Sequence, residues 1–406
     1  MARIVFAWEF GAGLGHILNE LPLAKKLQER GHEVFCVMKN VIDAGKILGQ
    51  HEIKVLQAPV WQVKIKKREN TFNYAETLFN QGYLVDGALS TMVKSWRNLY
   101  DFMRPDLLIA DHAPSALIAA RGTAIRTALF GTGFCAPPRQ NPMPSIIPWS
   151  SLPLRLFEKS EKEAVRVINQ VLAEQGAPVL TSLADLFAVD ENILATFEEL
   201  DHYQTREAAK YWGPLMNLPE GERPVWPVTA HNKNIFCYLK PTYPYVEDVL
   251  ASLQQIKASV IIFLPHAAKE IKEKFHSAAL KFTDIPLNMA ETCKECDMVI
   301  CHAGHGTVAV TLLHGKPLLL VPEHDQLEQI LIARNIAVRK LGLCIFTRHK
   351  VRDYKGAITR ILSEPEFTEK TQKFARKYKE FDPAEQLEAI ADRCEEVMKQ
   401  SSVRKS

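Results

Sequence analysis

The 406-residue chain lacks any apolar run approaching the roughly 18 to 20 residues needed to span a bilayer. Its opening, Met1-Ala2-Arg3-Ile4-Val5-Phe6-Ala7-Trp8, lacks the long apolar region and small-residue cleavage site of a signal peptide. These two absences lead us to expect a cytoplasmic protein, with the opening residues as a first β-strand. Low-complexity tracts are missing too, and 47% hydrophobic with 24% charged residues is the make-up of a folded globular chain. Fifty Lys and Arg against 47 Asp and Glu leave only +3, so no overall field argues for nucleic acid. The local exception, Lys64-Ile65-Lys66-Lys67-Arg68, reads as a solvated loop or edge, or as a contact for an acidic acceptor or a membrane surface. Peripheral membrane contact therefore stays open. Eight scattered cysteines supply no disulfide framework. Around Cys293-x-x-Cys296 and Cys301-His302 there is one C-x-x-C, whereas a closed zinc site wants four ligands, so ordinary thiols and no metal are expected.

What is present is a β/α rhythm. An apolar run from Arg3 to Trp8 meets the turn Gly11-Ala12-Gly13-Leu14-Gly15-His16. Ile17, Leu21, Leu23, Ala24 and Leu27 then recur at helical spacing up to Gly31, and Val34 to Met38 is the next strand. Asp106 to Ala110 is a further strand, with a helix beginning at Ser115. Residues 135 to 153, rich in proline, read as a long functional or mobile loop before helical spacing returns from Glu158 to Glu174. Turn residues without periodicity between 213 and 227 make the best linker. Beyond it strands are predicted at Asn234–Leu239, Ser259–Leu264, Met298–Cys301 and Leu318–Val321, with helices from Tyr245, Thr307 and Gln326. The fold class expected is α/β, with two Rossmann-like doubly wound domains facing each other across a cleft. Their bounds are 1–212 and 228–382, joined by the linker 213–227. A final amphipathic helix within 383–406 uses Leu387, Ile390, Ala391, Cys394 and Val397; its spacing does not say which domain it covers.

The glycine turn resembles a dinucleotide fingerprint only superficially. Its third glycine comes one residue early, and the following strand ends in Lys39 where a carboxylate is needed. What remains is a turn that sets His16 at a helix N-terminus, which favours a neutral ring able to take a proton from a hydroxyl. Gly13 and Gly15 join it as site candidates; the plain alternative is a histidine that caps the turn. Asp111 ends its strand at the same carboxyl edge and is either the carboxylate that orients His16 or a helix N-cap. Further on, Cys301-His302-Ala303-Gly304-His305-Gly306-Thr307 lies between a strand and a helix. Small residues, unpaired N–H groups and the donors of His302 and Thr307 suit a diphosphate without a metal ion; otherwise the segment is a glycine-rich turn. One strand later, Asp325 and Gln326 offer an acceptor and a donor for sugar hydroxyls, or Asp325 is an N-cap.

Gly15-His16, Tyr211-Trp212-Gly213-Pro214-Leu215, His302-x-Gly304-x-Gly306-Thr307 and Asp325-Gln326 resemble the motifs of the GT-B glycosyltransferases of family 1. That group uses nucleoside-diphosphate sugars and includes macrolide, zeaxanthin and plant natural-product enzymes. The resemblance implies an N-terminal acceptor-binding domain and a C-terminal donor-binding domain, with the last helix crossing back to the former. It implies His16 as general base with Asp111 as its partner. His302, Gly304, His305, Gly306 and Thr307 would bind the donor phosphates, and Asp325 and Gln326 the sugar. The implied reaction is an inverting, metal-independent transfer of a hexose from UDP- or dTDP-sugar to a small acceptor, with no cofactor beyond that co-substrate. The chain departs from the pattern in three places. Where relatives show Gly-Ser it has Tyr238-Leu239-Lys240-Pro241-Thr242, so Lys240 or Thr242 compensates or phosphate binding is altered. The ribose-binding carboxylate falls at Val310, and the base-stacking tryptophan is missing, which leaves backbone near Leu287 and Asn288 as the base pocket. Two other functions fit: transfer to a lipid-linked acceptor, with residues 64–68 and the stretch Gly87–Met103 at the membrane, and a non-catalytic sugar-nucleotide-binding protein.

Overall fold

Parallel strands that bury both faces need near-continuous apolar runs, and the sequence supplies them at regular spacing. The structure, a computed structural model, describes residues 1–11, 13–61, 71–203, 206–215 and 221–400. The basic run 64–68 lies outside the described residues. The chain divides into an N-terminal unit, Met1–Asn217 with Asp382–Ser406, and a C-terminal unit, Leu218–Phe381.

The N-terminal unit is built on β1 (Arg3–Trp8), β2 (Glu33–Met38), β3 (Lys54–Gln57), β4 (Leu107–Asp111), β5 (Arg126–Gly131) and β6 (Glu191–Leu194). The C-terminal unit is built on β7 (Asn234–Tyr238), β8 (Ser259–Phe263), β9 (Leu280–Thr283), β10 (Met298–Cys301), β11 (Leu318–Leu320) and β12 (Gly342–Cys344). The sheet orders are β3-β2-β1-β4-β5-β6 and β12-β11-β10-β7-β8-β9, with all pairings parallel. Counted from its own first strand, each sheet runs third, second, first, fourth, fifth, sixth. Each therefore has one switch point, β1/β4 or β7/β10. There the connections leave toward opposite faces and open a crevice at the carboxyl edge.

Period-two alternation divides the first core. Val5 and Ala7 face one layer of helices; Ile4, Phe6 and Trp8 face the other. The second layer includes the last helix, Pro383–Lys399, whose Ile390, Ala391, Cys394 and Val397 are buried in the N-terminal unit. On that helix Glu388 and Asp392 pair with Arg30 at 2.5 and 2.7 Å, and Glu395 meets His32 at 3.0 Å. The helix Ala88–Met103, the stretch assigned to a membrane in the lipid-acceptor reading, turns Leu89, Met92, Val93, Trp96 and Tyr100 into the core instead.

Of the segment expected as a linker over 213–227, residues 213–215 and 221–227 are described, and both stretches make contacts with their own units. Trp212 and Leu215 are buried in the N-terminal unit, and Gly213 donates its N–H to the Thr196 carbonyl. Glu222 pairs with Leu287 in a parallel bridge, and Trp226 donates to Glu295 at 2.8 Å. Gly221 is required there, because a Cβ would lie 2.2 Å from the Leu287 carbonyl carbon. The proline-rich stretch 135–153 has no helix or strand, yet Met143 is fully buried and donates its N–H to Glu161. No helix among the described residues is long and apolar enough to cross a membrane.

Candidate active site

The first constellation sits at the β1/β4 switch point. Trp8 and Asp111, the last residues of their strands, are register partners. The chain leaving β1 turns back through the glycine loop into the helix Gly15–Glu29, whose second residue is His16. His16 Nδ1 and Asp111 Oδ2 are 2.6 Å apart, and the imidazole stacks on Trp8 with centroids 4.8 Å apart and planes 21° off parallel. Asp111 is thus bound to His16 and does not cap the following helix, whose N-cap position is Ala113. Gly11 has a left-handed φ of 93°, and a Cβ there would lie 2.6 Å from His16 Nε2, so this position requires glycine. Gly13, also left-handed at φ 94°, and Gly15 are exposed, with open space where a Cβ would be. Lys39, the residue that argued against a dinucleotide, donates from Nζ to the Gly11 carbonyl at 2.7 Å and clasps the loop.

Four supporting residues carry no motif. Gly131 ends β5 beside Asp111, where a Cβ would come within 3.2 Å of Oδ1. Glu9 is buried and accepts the N–H groups of Ser115 and Ala116 at 3.0 and 2.9 Å; burial outweighs those bonds and raises its carboxyl to about 8. Glu20, one helical turn beyond His16, is fully buried, and neither carboxyl oxygen has a hydrogen-bond partner among the described residues. Burial, with the Asp111 charge adding to it, pushes this carboxyl well above its usual range. Its one sequence signal is a charged residue on the apolar face of Ile17, Leu21 and Ala24. His112 follows Asp111 in a left-handed conformation (φ 47°), and burial lowers its ring to about 3, leaving it neutral.

The second constellation occupies the β7/β10 switch point. The helix after β10 begins at His305, two residues earlier than its apolar spacing predicts, with Gly304 as N-cap. His305, Gly306 and Thr307 are therefore its first turn, where backbone N–H groups have no intrahelical partner. Burial lowers His305 to about 4. His302 is held between neighbouring strand ends: Nδ1 donates to the Val321 carbonyl at 2.8 Å, and Nε2 accepts the Lys240 N–H at 2.9 Å. Burial lowers its proton affinity, so the ring is neutral and those two bonds use both nitrogens. This arrangement does not supply the side-chain phosphate donor expected of His302; its ring ties the exits of β7, β10 and β11 together. Lys240 Nζ pairs with Glu323 at 2.6 Å, a contact absent from the sequence reading. Thr242 and Asp325 are exposed, and Gln326 occupies the N-cap position of the helix Leu327–Val338 without a side-chain cap bond. Asp325 therefore is not the cap.

Leu287 and Asn288 follow β9. Asn288 caps the helix Met289–Glu295 by accepting the Glu291 N–H. Glu222 bonds the Pro286 carbonyl and the Asn288 N–H at 3.0 and 2.8 Å. Among the described residues no group of three or more His, Cys, Asp or Glu is arranged to hold a metal ion, and Cys293, Cys296 and Cys301 are buried free thiols.

Residues 245–387 match the glycosyltransferase family 28 C-terminal domain. Among solved structures, the calicheamicin glycosyltransferase CalG4 superposes with a TM-score of 0.72 at 16% identity, over 99% of this chain and 99% of that one. The glycosyltransferase VinC, solved in complex with dTDP, gives 0.65 at 17% identity over 96% and 100%. The chain has the GT-B fold of glycosyltransferases. A curated relative is the UDP-N-acetylglucosamine--N-acetylmuramyl-(pentapeptide) pyrophosphoryl-undecaprenol N-acetylglucosamine transferase of Geotalea daltonii (strain DSM 22248 / JCM 15807 / FRC-32). It is 26% identical over 161 residues, which cover 33% of this GT-B chain and 43% of that protein.

Proposed function

We propose that the chain is an inverting, metal-independent glycosyltransferase that moves a hexose from a UDP- or dTDP-sugar to a hydroxyl of a small acceptor. The observation that carries this reading is the His16–Asp111 contact at a switch point. A neutral imidazole oriented by a carboxylate takes the acceptor proton as the hydroxyl oxygen attacks the anomeric carbon. Asp111 steadies the imidazolium so formed. The bond to the donor breaks on the opposite face, and the nucleoside diphosphate leaves with its charge met by the first turn of the helix His305–Leu313. The Leu287 backbone is assigned to the base, and Asp325 with Gln326 to the sugar. The dTDP in VinC supports a pyrimidine nucleotide.

The Geotalea daltonii relative supports a second reading, transfer to a lipid-linked acceptor. Trp149, Leu154 and Leu156, at 40%, 62% and 46% exposure, lie within a few residues of the exposed Arg155, and exposed apolar and cationic residues of this kind suit a lipid interface.

The deciding experiment pairs calorimetry against UDP, dTDP, GDP and ADP with a donor-hydrolysis assay, using 5 mM EDTA as a control (about that concentration suffices to strip divalent ions). Micromolar to submillimolar binding of UDP or dTDP is the result expected, on the order of affinities usual for enzyme substrates, with turnover unaffected by chelation. Binding of none of the four, or turnover lost with the metal, overturns the proposal. Flotation with anionic vesicles separates the readings: recovery with the vesicles favours the lipid-linked acceptor, and sedimentation without them the small one.

A further inference from the structure

We propose that Lys240 supplies the cation that neutralises the donor diphosphate, and that Glu323 competes with the diphosphate for it. The inference rests on the donor reading above and concerns one half of that site. Strand β10 lies between β11 and β7. Lys240 follows β7 and Glu323 follows β11, so their 2.6 Å ion pair spans the exit of β10, in front of the helix that starts at His305.

That position needs a positive charge. A nucleoside diphosphate brings at least two negative charges, while a helix N-terminus offers roughly half a charge. His302 adds none, being neutral with both nitrogens engaged, and His305 is neutral near pH 7. Across the three strand exits, residues 239–245, 302–304 and 321–326, Lys240 is the one lysine or arginine. Without it the exits' own residues would present Glu323 and Asp325 to an anion, and Arg352, 3.8 Å from the Tyr245 ring centroid, already donates to the Thr347 and His349 carbonyls.

Lys240 is placed yet available. Its backbone N–H is pinned by His302 Nε2, whereas its side chain is 50% exposed. Glu323 is held separately: its N–H donates to Gln329 Oε1 at 2.9 Å, and Gln329 Nε2 donates to its carboxylate at 3.3 Å. The carboxylate therefore keeps its place when the ammonium turns to another anion. Because the Lys240 ammonium is half-exposed, solvent screens the pair and the exchange of partner is inexpensive. An ammonium also has three N–H donors to stand in for the Gly-Ser pair that the resembling family shows at this place.

The test is calorimetry at fixed ionic strength with UDP or dTDP, whichever the wild-type protein binds, and with the free nucleoside. Lys240→Met should weaken the diphosphate by roughly ten- to a hundred-fold, the range of a lost charge-assisted bond, and leave the nucleoside within about two-fold. Lys240→Arg should stay within about five-fold, because the charge is kept. Glu323→Gln should tighten the diphosphate about three- to ten-fold, since the competing charge is gone. Thermal melts of each variant report whether the unit stays folded. Equal affinity of Lys240→Met and wild type overturns the assignment, as does a Glu323→Gln loss matching that of Lys240→Met. A wild-type protein that binds neither nucleoside diphosphate sinks the donor reading itself, together with this one.

Discussion

His16 and Asp111 lie 95 residues apart in sequence and meet at 2.6 Å because β1 and β4 are neighbours whose last residues share a register. A contact of that length is a charge-assisted bond whenever the ring carries a proton, so its strength grows as the acceptor proton arrives. His16→Ala should lower kcat by roughly 10² to 10⁴ and leave nucleotide affinity nearly unchanged. Asp111→Asn should cost less but in the same direction, through the wrong tautomer. Nucleotide affinity falling in parallel with kcat would instead mark His16 as structural.

Gly11→Ala tests the loop without touching the proton-carrying groups. The substitution meets both a left-handed φ of 93° and a 2.6 Å approach to His16 Nε2. The ring must move or the loop must open. Turnover is expected to fall about ten-fold or more, with roughly 1 to 3 kcal/mol of destabilisation from the strained backbone. Urea melts beside steady-state assays check this; wild-type turnover would show that the imidazole tolerates displacement.

The division between what the sequence discloses and what it conceals follows contact range. Apolar runs, glycine turns and helical spacing are local, and they sufficed for two doubly wound sheets and for the residues at their carboxyl edges. Each end of the His16–Asp111 pair was readable because His16 begins the helix after β1 and Asp111 ends β4, both on the carboxyl edge. Glu9 and Gly131 were not, since each acts on a partner brought up by a different strand. His302 shows the limit most clearly. Its motif suggested a ligand donor, but its partners come from the exits of β7 and β11, 62 residues before it and 19 after it. The early start at His305 has a similar cause: glycine and histidine lower local helix propensity, yet the fold continues the helix through them.

Burial of carboxyls gives the protein a pH dependence with a definite sign. The folded chain keeps a proton on Glu9 up to about 8, whereas the unfolded chain releases it near 4.5. Its stabilising contribution is complete below pH 4.5 and disappears as pH rises through about 8. Glu161, raised to about 7 by burial, and Glu20 act in the same direction. Below pH 6.5 the buried rings of His112, His202 and His305, lowered to about 3, 3 and 4, act in the opposite direction, so the fall caused by the carboxyls should stand clear from pH 6.5 to about 8. Glu9→Gln should flatten part of that fall. Urea midpoints at unit pH intervals measure it, and identical slopes in variant and wild type would remove Glu9 as a source.

The last helix joins the N-terminal unit through two kinds of contact that differ greatly in magnitude. Arg30 pairs with Glu388 and Asp392, whose side chains are 49% and 64% exposed, so water and salt screen most of the attraction. Ile390 is completely buried in the apolar layer with Trp8, Ile17 and Leu23. Arg30→Ala should therefore lower stability by no more than about 1 kcal/mol, and less at high salt. Ile390→Ala, which leaves a cavity, should lower it by roughly 2 to 5 kcal/mol. Calorimetric melts at low and high salt separate the two contributions. A larger loss for Arg30→Ala than for Ile390→Ala would mean that charge, and not burial, holds the helix in place.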